Sequence, residues 1–224
     1  MLHGKEKTDQ YFHKGLRQKL IEQLKEKGIY DENVLNAMNA IPRHYFLDPA
    51  FEQKAYEDRA FQIGAGQTIS QPYTVAYQSQ LLGVKQFDKI LEVGTGSAYQ
   101  ACVLAELGAQ VFTIERQKEL YKYNNHFFFL KKYPKIKRFL GDGFEGLPSY
   151  APFDKVIITA AAPFIPPKLI EQLKVGGIMV VPVDREDKKC QIMQRITKTA
   201  EGIKIEEFED FSFVPMLSGL EDKR

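Results

Sequence analysis

Glu92-Val93-Gly94-Thr95-Gly96-Ser97-Ala98-Tyr99 is the stretch that decides the fold of this chain. Residues 90–93, three of them apolar, are typical of a buried strand, residues 94–98 form a turn, and residues 99–107 have the apolar spacing of a helix. Glycines in a strand-to-helix turn let the backbone approach a ligand that a Cβ atom would keep away. The stretch therefore predicts an α/β fold with a ligand at the end of this strand.

Strand and helix patterns alternate on the C-terminal side of this loop. Regular alternation with short connections demands right-handed crossovers and a mostly parallel sheet that is covered on both faces. The last strands follow a charged turn at residues 184–189 and are expected to be antiparallel. The predicted strands are 111–115, 136–140, 156–160, 178–183, 190–197 and 203–213, and the predicted helices are 117–131 and 166–173, the second stopped at Gly176-Gly177.

The N-terminal part carries two amphipathic helices and an irregular segment. Residues 8–27 repeat apolar side chains every three or four positions, and a second helix begins after the capping residue Asp31 and stops at Ile41-Pro42. Residues 42–66 are rich in proline, aromatic and charged side chains without a sustained period, which indicates a covering loop. At 224 residues, the chain is expected to form one domain.

Composition argues against several classes of protein. The 31 basic and 29 acidic residues leave a formal charge of +2, so no strong field favours nucleic acid or a membrane surface. The N-terminus is polar and no run reaches the roughly 18 apolar residues of a membrane helix, so a cytoplasmic protein is expected. No metal site is expected, because the cysteines and histidines are scattered; they are Cys102, Cys190, His3, His13, His44 and His126.

The next strand and the helix start indicate which nucleotide binds. Glu115 ends that strand 21 residues after Gly94, where a carboxylate can accept hydrogen bonds from both ribose hydroxyls. In the dinucleotide fingerprint a third glycine lets the helix pack behind a pyrophosphate, but here Tyr99 takes its place. The ligand is therefore expected to contain adenosine without a pyrophosphate, and S-adenosylmethionine fits this description.

Two further carboxylates suit the same ligand. Glu92 precedes the glycine loop, where it could act directly or through water near the cationic amino-acid end of the ligand. Asp142 lies in Gly141-Asp142-Gly143 and could accept from the adenine amino group, while Gly143 leaves the ring plane uncrowded. Taken alone, Glu92 could simply hold a loop and Asp142 a turn. Their placement at successive strand ends favours the ligand.

The segment Gly64-Ala65-Gly66-Gln67-Thr68-Ile69-Ser70-Gln71-Pro72-Tyr73 precedes the glycine loop. Two glycines before small polar side chains, closed by a proline, predict a tight loop that enters a helix at Pro72. Such a loop can place Thr68, Ser70 and Gln71 against a ligand. Ser70 could also serve as a helix cap, and the two roles are compatible.

Motifs along the chain resemble those of the protein-L-isoaspartate O-methyltransferase family. The resemblance covers most of residues 40–216, and its most specific parts are residues 67–72 and 159–162. The motifs that carry it are Ile41-Pro42-Arg43, Ala55-Tyr56-Glu57-Asp58, Gly66-Gln67-Thr68-Ile69-Ser70-Gln71-Pro72, Glu92-Val93-Gly94-Thr95-Gly96-Ser97, Gly141-Asp142-Gly143, Phe153-Asp154-Lys155-Val156-Ile157-Ile158-Thr159-Ala160-Ala161-Ala162, Gly176-Gly177 and Phe213-Val214-Pro215.

The resemblance implies a Rossmann-like, S-adenosylmethionine-dependent methyltransferase. It implies a repair enzyme that methylates the free α-carboxyl of isoaspartyl residues in damaged proteins and peptides and leaves S-adenosylhomocysteine. By the same comparison Ser70 is the active-site serine, and residues 63–64 and 214–215 grip the substrate backbone. The implied cofactor contacts are Thr68, Ile69, Gln71, Glu92, Gly94, Thr95, Gly96, Ser97, Glu115, Asp142, Gly143 and Thr159, and the implied substrate contacts are Ile63, Gly64, Val214 and Pro215.

This division of labour also predicts three parts of one domain. Residues 1–66 would supply N-terminal helices and a substrate-side loop, residues 67–183 the cofactor-binding core, and residues 184–224 antiparallel strands. The expected protein is a monomer without nucleic-acid or membrane partners. Ala98 stands where the family has glycine, so the loop is expected to shift slightly, and residues 61–64 lack a proline that would stiffen the substrate wall.

The chemistry needs few residues, since an α-carboxyl with a pKa of about 3.5 is already ionised at pH 7. No general base is required, so the expected role of Ser70 is to hydrogen-bond and orient that carboxylate. Two rival functions remain open at this point. Residues 124–138 mix aromatic and basic side chains, which also suits an RNA methyltransferase, and a binding module could keep the cofactor pocket without catalysis.

Overall fold

The computed structural model describes residues 8–185 and 189–221. His3 and the central part of the predicted charged turn, residues 186–188, lie outside the described residues. The α-helices are Tyr11–Glu26 (α1), Glu32–Ala40 (α2), Pro72–Leu82 (α3), Tyr99–Glu106 (α4), Lys118–His126 (α5) and Pro167–Glu171 (α6). The strands are Phe61–Gly64 (β1), Gln67–Ile69 (β2), Lys89–Val93 (β3), Gln110–Glu115 (β4), Ile136–Leu140 (β5), Phe153–Ile158 (β6), Leu173–Asp184 (β7), Gln191–Lys198 (β8) and Ile203–Phe211 (β9).

Strands β3 to β9 form one sheet in the order β5-β4-β3-β6-β7-β8-β9. The pairs from β5 to β7 are parallel, and β8 and β9 are added antiparallel, as the sequence predicts. In the sheet, β4 and β5 lie on one side of β3, and β6 and β7 lie on its other side, so the strand order reverses at β3. Ligands of open α/β sheets bind in the crevice beyond the carboxyl ends of the strands at such a reversal.

Both faces of the sheet are covered by apolar side chains. One face packs against α1 to α4 around a large core that includes Leu24, Ile90 and Val180. The other face packs against α6 and the loops before it, through residues such as Val156 and Leu169. A parallel sheet covered on both sides keeps its strand ends fixed, so the loops at the carboxyl end rest on a rigid base.

The segment from residue 42 to 69 is more ordered than an irregular covering loop. It contains the 3-10 helices Arg43–Phe46 and Pro49–Lys54, followed by the antiparallel hairpin of β1 and β2. Ala65 and Gly66 have φ angles of 49° and 66°, the left-handed pair that a two-residue hairpin turn requires. The predicted division between residues 66 and 67 falls inside this turn.

Two predicted helices are shorter in the structure. Residues 117–131 do not form one helix: α5 ends at His126, Phe127 is extended with φ −71° and ψ 111°, and a 3-10 helix Phe128–Lys132 follows. The break lets Phe127 pack edge-on against Phe46, with ring centroids 5.1 Å apart. A helix over residues 166–173 is also wrong, because α6 ends at Glu171 and Leu173 already belongs to β7.

Gly176-Gly177 does not stop a helix but lies within β7. The register between β6 and β7 slips here, since Phe153 pairs with Leu173 whereas Lys155 pairs with Ile178. Gly176 has a φ of +81°, and a Cβ atom on Gly177 would lie 2.8 Å from the Lys174 carbonyl oxygen. The two glycines therefore allow an irregularity in the strand that bulkier residues would resist.

Candidate active site

A cavity enclosing about 820 Å³, part of it open to solvent, lies beyond the carboxyl ends of β3, β4 and β6. Its position is the one that the reversal of strand order predicts. The sequence-predicted residues that line it are Thr68, Ile69, Ser70, Gly94, Thr95, Gly96, Ser97, Glu115, Gly143, Thr159, Val214 and Pro215. The structure thus brings together most of the predicted site from six separate stretches of the chain.

The glycine loop approaches the cavity closely because Gly94 leaves no room for a side chain. Gly94 has a φ of +98°, and a Cβ atom there would lie 2.6 Å from the Thr159 hydroxyl oxygen. That hydroxyl donates to the carbonyl oxygens of Val93 and Gly94, at 3.0 and 2.8 Å. Ala98 adopts a φ of 67°, which explains why a glycine suits this position in the family.

Glu115 lines the cavity and also fixes the glycine loop. One carboxylate oxygen accepts from the Gly96 backbone N–H at 2.8 Å, and the other accepts from the Gln117 N–H at 2.8 Å. Burial raises the pKa of Glu115, whereas these backbone hydrogen bonds lower it. The predicted contact with ribose hydroxyls stays a prediction, and each carboxylate oxygen has further acceptor capacity for it.

Glu92 lies beneath the loop and outside the cavity lining. Its side chain is fully buried, and neither carboxylate oxygen has a hydrogen-bond partner in the described chain. Burial raises the pKa of Glu92 to about 8, the Thr113 side chain lowers it and the Glu115 charge raises it further. Thr113 opposes Glu92 on β4, and its hydroxyl lies 2.7 Å from that of Thr95 in the loop. An unpartnered acid next to the loop is consistent with a cationic ligand nearby.

Asp142 is engaged by the C-terminal segment of the chain. One carboxylate oxygen accepts from the Phe144 N–H at 2.8 Å, and the other accepts from the Gly219 N–H at 2.6 Å. Gly219 is held further by Arg116, whose Nε donates to its carbonyl oxygen at 3.1 Å. Asp142 itself does not line the cavity, whereas Gly143 does. A Cβ atom on Gly143 would lie too close to Val93, so this position must stay small.

A second cavity adjoins the first on the side of α3 and the C-terminal strands. It encloses about 1040 Å³, part of it open to solvent, and its walls include Tyr73, Phe211 and Phe213. The residues that line both cavities are Thr68, Ser70, Thr159 and Val214. Ser70 therefore lies at the junction of the two spaces. Its hydroxyl has no hydrogen-bond partner within residues 8–185 and 189–221.

Besides Glu92 and Asp142, three predicted contacts lie outside the first cavity. Gln71 lines only the second cavity, and its amide nitrogen donates to Asp58 at 3.1 Å. Ile63 lies against the glycine loop, with its Cδ1 atom 3.7 Å from the position of a Cβ on Gly96, but it lines neither cavity. Gly64 is exposed in the β1–β2 hairpin.

Several residues that line the first cavity were not predicted from the sequence. Most are direct chain neighbours of predicted residues, so the end of each strand was itself a signal that could have found them. Met216 and Leu217, for example, follow the predicted Val214 and Pro215. The additional residues are Gln67, Val75, Val93, Tyr99, Gln100, Ile114, Arg116, Gln117, Ala160, Met216 and Leu217.

Two histidines that are scattered in the sequence meet in the structure. His13 and His44 stack with ring centroids 3.8 Å apart, and Asp9 lies beside them. Arg17 donates to both oxygens of Asp9 at 3.0 Å, His13 contacts Glu52 at 3.0 Å, and the His44 ring meets the Tyr56 hydroxyl at 2.8 Å. Burial lowers the pKa of His44 to about 4. Since these polar atoms already contact one another, we assign the cluster to packing of α1 against the 3-10 helices.

The fold and the site together define a class of protein. A sheet that reverses at β3, a glycine loop without the pyrophosphate glycine and an acid at the end of β4 are the arrangement of a Rossmann-like, S-adenosylmethionine-dependent methyltransferase. Comparison with known proteins gives the family. Residues 15–221 match the family model described as protein-L-isoaspartate(D-aspartate) O-methyltransferase, and the chain belongs to this family.

Curated relatives agree over nearly the whole chain. A protein-L-isoaspartate O-methyltransferase of Christiangramia forsetii is 53% identical over 216 residues, which cover 96% of this chain and 99% of the relative. One of Cytophaga hutchinsonii is 54% identical over 210 residues, which cover 93% of this chain and 94% of the relative. The resemblance drawn from the motifs is thereby confirmed.

Solved structures confirm the fold. One named protein-L-isoaspartate O-methyltransferase superposes with a TM-score of 0.82 at 24% identity, covering 91% of this chain and 67% of that one. A Plasmodium falciparum protein described as a member of the same family was solved in complex with S-adenosyl-L-homocysteine. It superposes with a TM-score of 0.77 at 25% identity, covering 90% of this chain and 98% of that one. The predictions of methyltransferase activity and of this cofactor are confirmed by the family.

Proposed function

We propose that this chain methylates the free α-carboxylate of L-isoaspartyl residues in damaged proteins, and that Ser70 orients that carboxylate. The observation that carries the proposal is the position of Ser70 at the junction of the two cavities. The first cavity has the features of the cofactor site, and the second adjoins it and is partly open to solvent. A group held at Ser70 would contact both.

The residues of the first cavity fit S-adenosylmethionine. Gly94 and Gly143 keep clear the space that side chains would fill, and Glu115 presents carboxylate oxygens at the end of β4. The buried Glu92 supplies an acid with no partner in the described chain beside the loop. When bound, the cofactor supplies an electrophilic methyl group on a sulfonium.

The chain's own residues need to orient the substrate and exclude water, since the substrate carboxylate is already ionised at neutral pH. We propose that the Ser70 hydroxyl donates a hydrogen bond to one carboxylate oxygen and leaves the other facing the first cavity. Alignment of this kind can supply on the order of 7 to 11 kcal/mol in the best cases. No residue has to remove a proton, so the site needs a donor and a fixed geometry.

The C-terminal segment is positioned to hold the substrate backbone. The Ala161 N–H donates to the Val214 carbonyl oxygen at 2.8 Å, and the Met216 N–H donates to the Ala161 carbonyl oxygen at 2.7 Å. These two bonds fix Val214 and Pro215 beside the junction. We therefore keep Val214 and Pro215 as proposed substrate contacts.

The test uses labelled S-adenosylmethionine and two peptides that differ only in an isoaspartyl or a normal aspartyl linkage. The proposal expects label on the isoaspartyl peptide alone, released as methanol in mild base. Ser70→Ala should lower kcat by about 100-fold, while the affinity for S-adenosylhomocysteine stays within threefold. The control is Ser149→Ala, an exposed serine on the 3-10 helix Pro148–Tyr150, which should behave as wild type. Label on neither peptide, or full turnover by Ser70→Ala, would contradict the proposal.

We further propose that the protein acts as a cytoplasmic monomer without nucleic-acid or membrane partners. The near balance of charge supports this, and no helix among the described residues has the length and apolar character to cross a bilayer. Phe127 and Tyr133, which made an RNA-binding face conceivable, are buried and pack against other rings. Sedimentation of the purified protein and a gel shift with tRNA at two salt concentrations test these statements.

A further inference from the structure

Arg43 is a fully buried cation directly behind the active-site loop. Its Nη2 donates to the Ser70 carbonyl oxygen at 2.8 Å, and its Nε donates to the Ala55 carbonyl oxygen at 3.1 Å. The guanidinium lies over the Tyr99 ring, 4.9 Å from the centroid. A buried charge is costly unless several groups contact it, and here two carbonyls and a ring from three parts of the chain do so, while Nη1 has no hydrogen-bond partner in the described chain.

Asp58 holds the same loop at Gln71 and Tyr73, which follow Ser70 in the chain. One carboxylate oxygen accepts from the Tyr73 N–H at 2.8 Å, in the first turn of α3. The other accepts from the Gln71 amide at 3.1 Å and from Lys27 Nζ at 2.6 Å. The side chain of Asp58 is only 9% exposed. The side chains of Arg43 and Asp58 therefore hold the main chain of residues 70–73 from two sides. Neither side chain lines the first or the second cavity.

We propose that Arg43 and Asp58 are positioning residues that fix the main chain of residues 70–73 and so keep the Ser70 hydroxyl at the junction of the two cavities. This inference rests on the proposed role of Ser70. In this proposal neither Arg43 nor Asp58 contacts the substrate or the cofactor, and each acts through the backbone of residues 70–73. Because a displacement of about 1 Å in a reacting geometry can cost about 100-fold in rate, a loosened loop should lower turnover more than binding.

The test compares Arg43→Met and Arg43→Lys with wild type. We expect Arg43→Met to lower kcat by about 100-fold, while KM for the isoaspartyl peptide and the affinity for S-adenosylhomocysteine change by less than threefold. Arg43→Lys keeps one cation that can reach a single carbonyl, so it should recover part of kcat. Asp58→Asn keeps one acceptor oxygen and should lower kcat by less than Arg43→Met does.

The matched control is Lys155→Met. Lys155 is also a buried cation that donates to a backbone carbonyl, that of Leu82 at 2.9 Å, but it lies at the opposite end of β6 from the cavity. Its replacement should lower stability and leave kcat within twofold of wild type. Equal kcat values for Arg43→Met and Lys155→Met would overturn the proposal. If Arg43→Met fails to fold, wild-type kcat in both Arg43→Lys and Asp58→Asn would overturn it.

Hydrogen exchange separates this inference from the proposed function. The backbone amides of residues 70, 71 and 73–75 should exchange at least about tenfold faster in Arg43→Lys and Asp58→Asn than in wild type, whatever the substrate; residue 72 is proline and has none. Failure of wild type to methylate the isoaspartyl peptide would contradict the proposed function alone. Unchanged exchange at residues 70–75 in both variants would contradict the positioning role alone.

Discussion

The two sides of the active site are built in different ways. The cofactor side, residues 92–98, 115 and 143, lies at the ends of adjacent parallel strands, where the sheet itself sets the spacing. The Ser70 side, residues 70–73 with Arg43 and Asp58, is held by hydrogen bonds between residues 13 to 27 positions apart in loops and 3-10 helices. The cofactor side thus depends on glycines at positions where a side chain would clash, and the Ser70 side depends on buried ionic side chains.

The largest effect is expected at Gly94 on the cofactor side. Gly94→Ala forces a side chain into a φ of +98° and against the Thr159 hydroxyl, 2.6 Å from the new Cβ atom. Backbone strain of about 1–3 kcal/mol adds to overpacking of about 1–3 kcal/mol. We expect the free energy of unfolding to fall by about 2–6 kcal/mol, as measured in urea, with at least about a tenfold loss of affinity for S-adenosylhomocysteine.

Gly83→Ala is the matched control for Gly94→Ala. Gly83 ends α3 with a φ of +59°, and a Cβ atom there meets nothing within 4 Å. Only the left-handed backbone should cost stability, about 1–2 kcal/mol, without an effect on binding. Equal losses for the two variants would mean that close approach at Gly94 contributes nothing.

The next largest effect is expected at Glu92, where the contribution to stability depends on pH. Burial raises the pKa of Glu92 from an ordinary value of 4.5 to about 8, so between these values the folded chain keeps a proton that the unfolded chain releases. Stability from this group is fully present below pH 4.5 and is lost as the pH rises through about 8. The loss can reach about 1.4 kcal/mol per pH unit within that window.

The experiment compares urea unfolding of wild type and Glu92→Gln at pH 5, 6.5 and 8. Gln does not titrate, so the stability of the variant relative to wild type should increase steadily from pH 5 to pH 8. Neighbouring Glu115 and Cys102 remain in both proteins, which cancels their titration to first order. A difference that is the same at all three pH values would show that Glu92 is ionised in the folded protein.

The cofactor side could be predicted from the sequence because its signals are local. A strand, its glycine turn and the acid that ends the next strand occupy short, recognisable stretches, and parallel pairing then fixes their order. Burial is not a local property, however. Glu92 was expected near the ligand, but it is fully buried in the middle of the sheet, between Thr113 of β4 and Ile157 of β6, and no spacing along the chain reveals this.

Only part of the Ser70 side could be predicted from the sequence. Arg43 and Asp58 appeared within family motifs, but arginine is rarely fully buried, so nothing in its local pattern indicated contact with Ser70. The same limit explains the helix expected at residues 117–131. Its break at Phe127 serves a ring contact with Phe46, about 80 positions away, and such tertiary packing overrides local helix preference.

The smallest expected effect distinguishes the two sides at a single residue. The family resemblance makes Gln71 a cofactor contact, whereas in the structure Gln71 lines the second cavity and donates to Asp58. Gln71→Ala should then remove one hydrogen bond from the Ser70 side, worth about 0.5–1.5 kcal/mol, and lower kcat by about 2- to 10-fold. The affinity for S-adenosylhomocysteine should stay within twofold in calorimetry. The control is Gln80→Ala in α3, where the Gln80 side chain accepts from the Tyr30 and Asp31 N–H groups away from the site, and this change should leave kcat unchanged. A tenfold loss of cofactor affinity in Gln71→Ala, with normal kcat at saturation, would instead place Gln71 on the cofactor side.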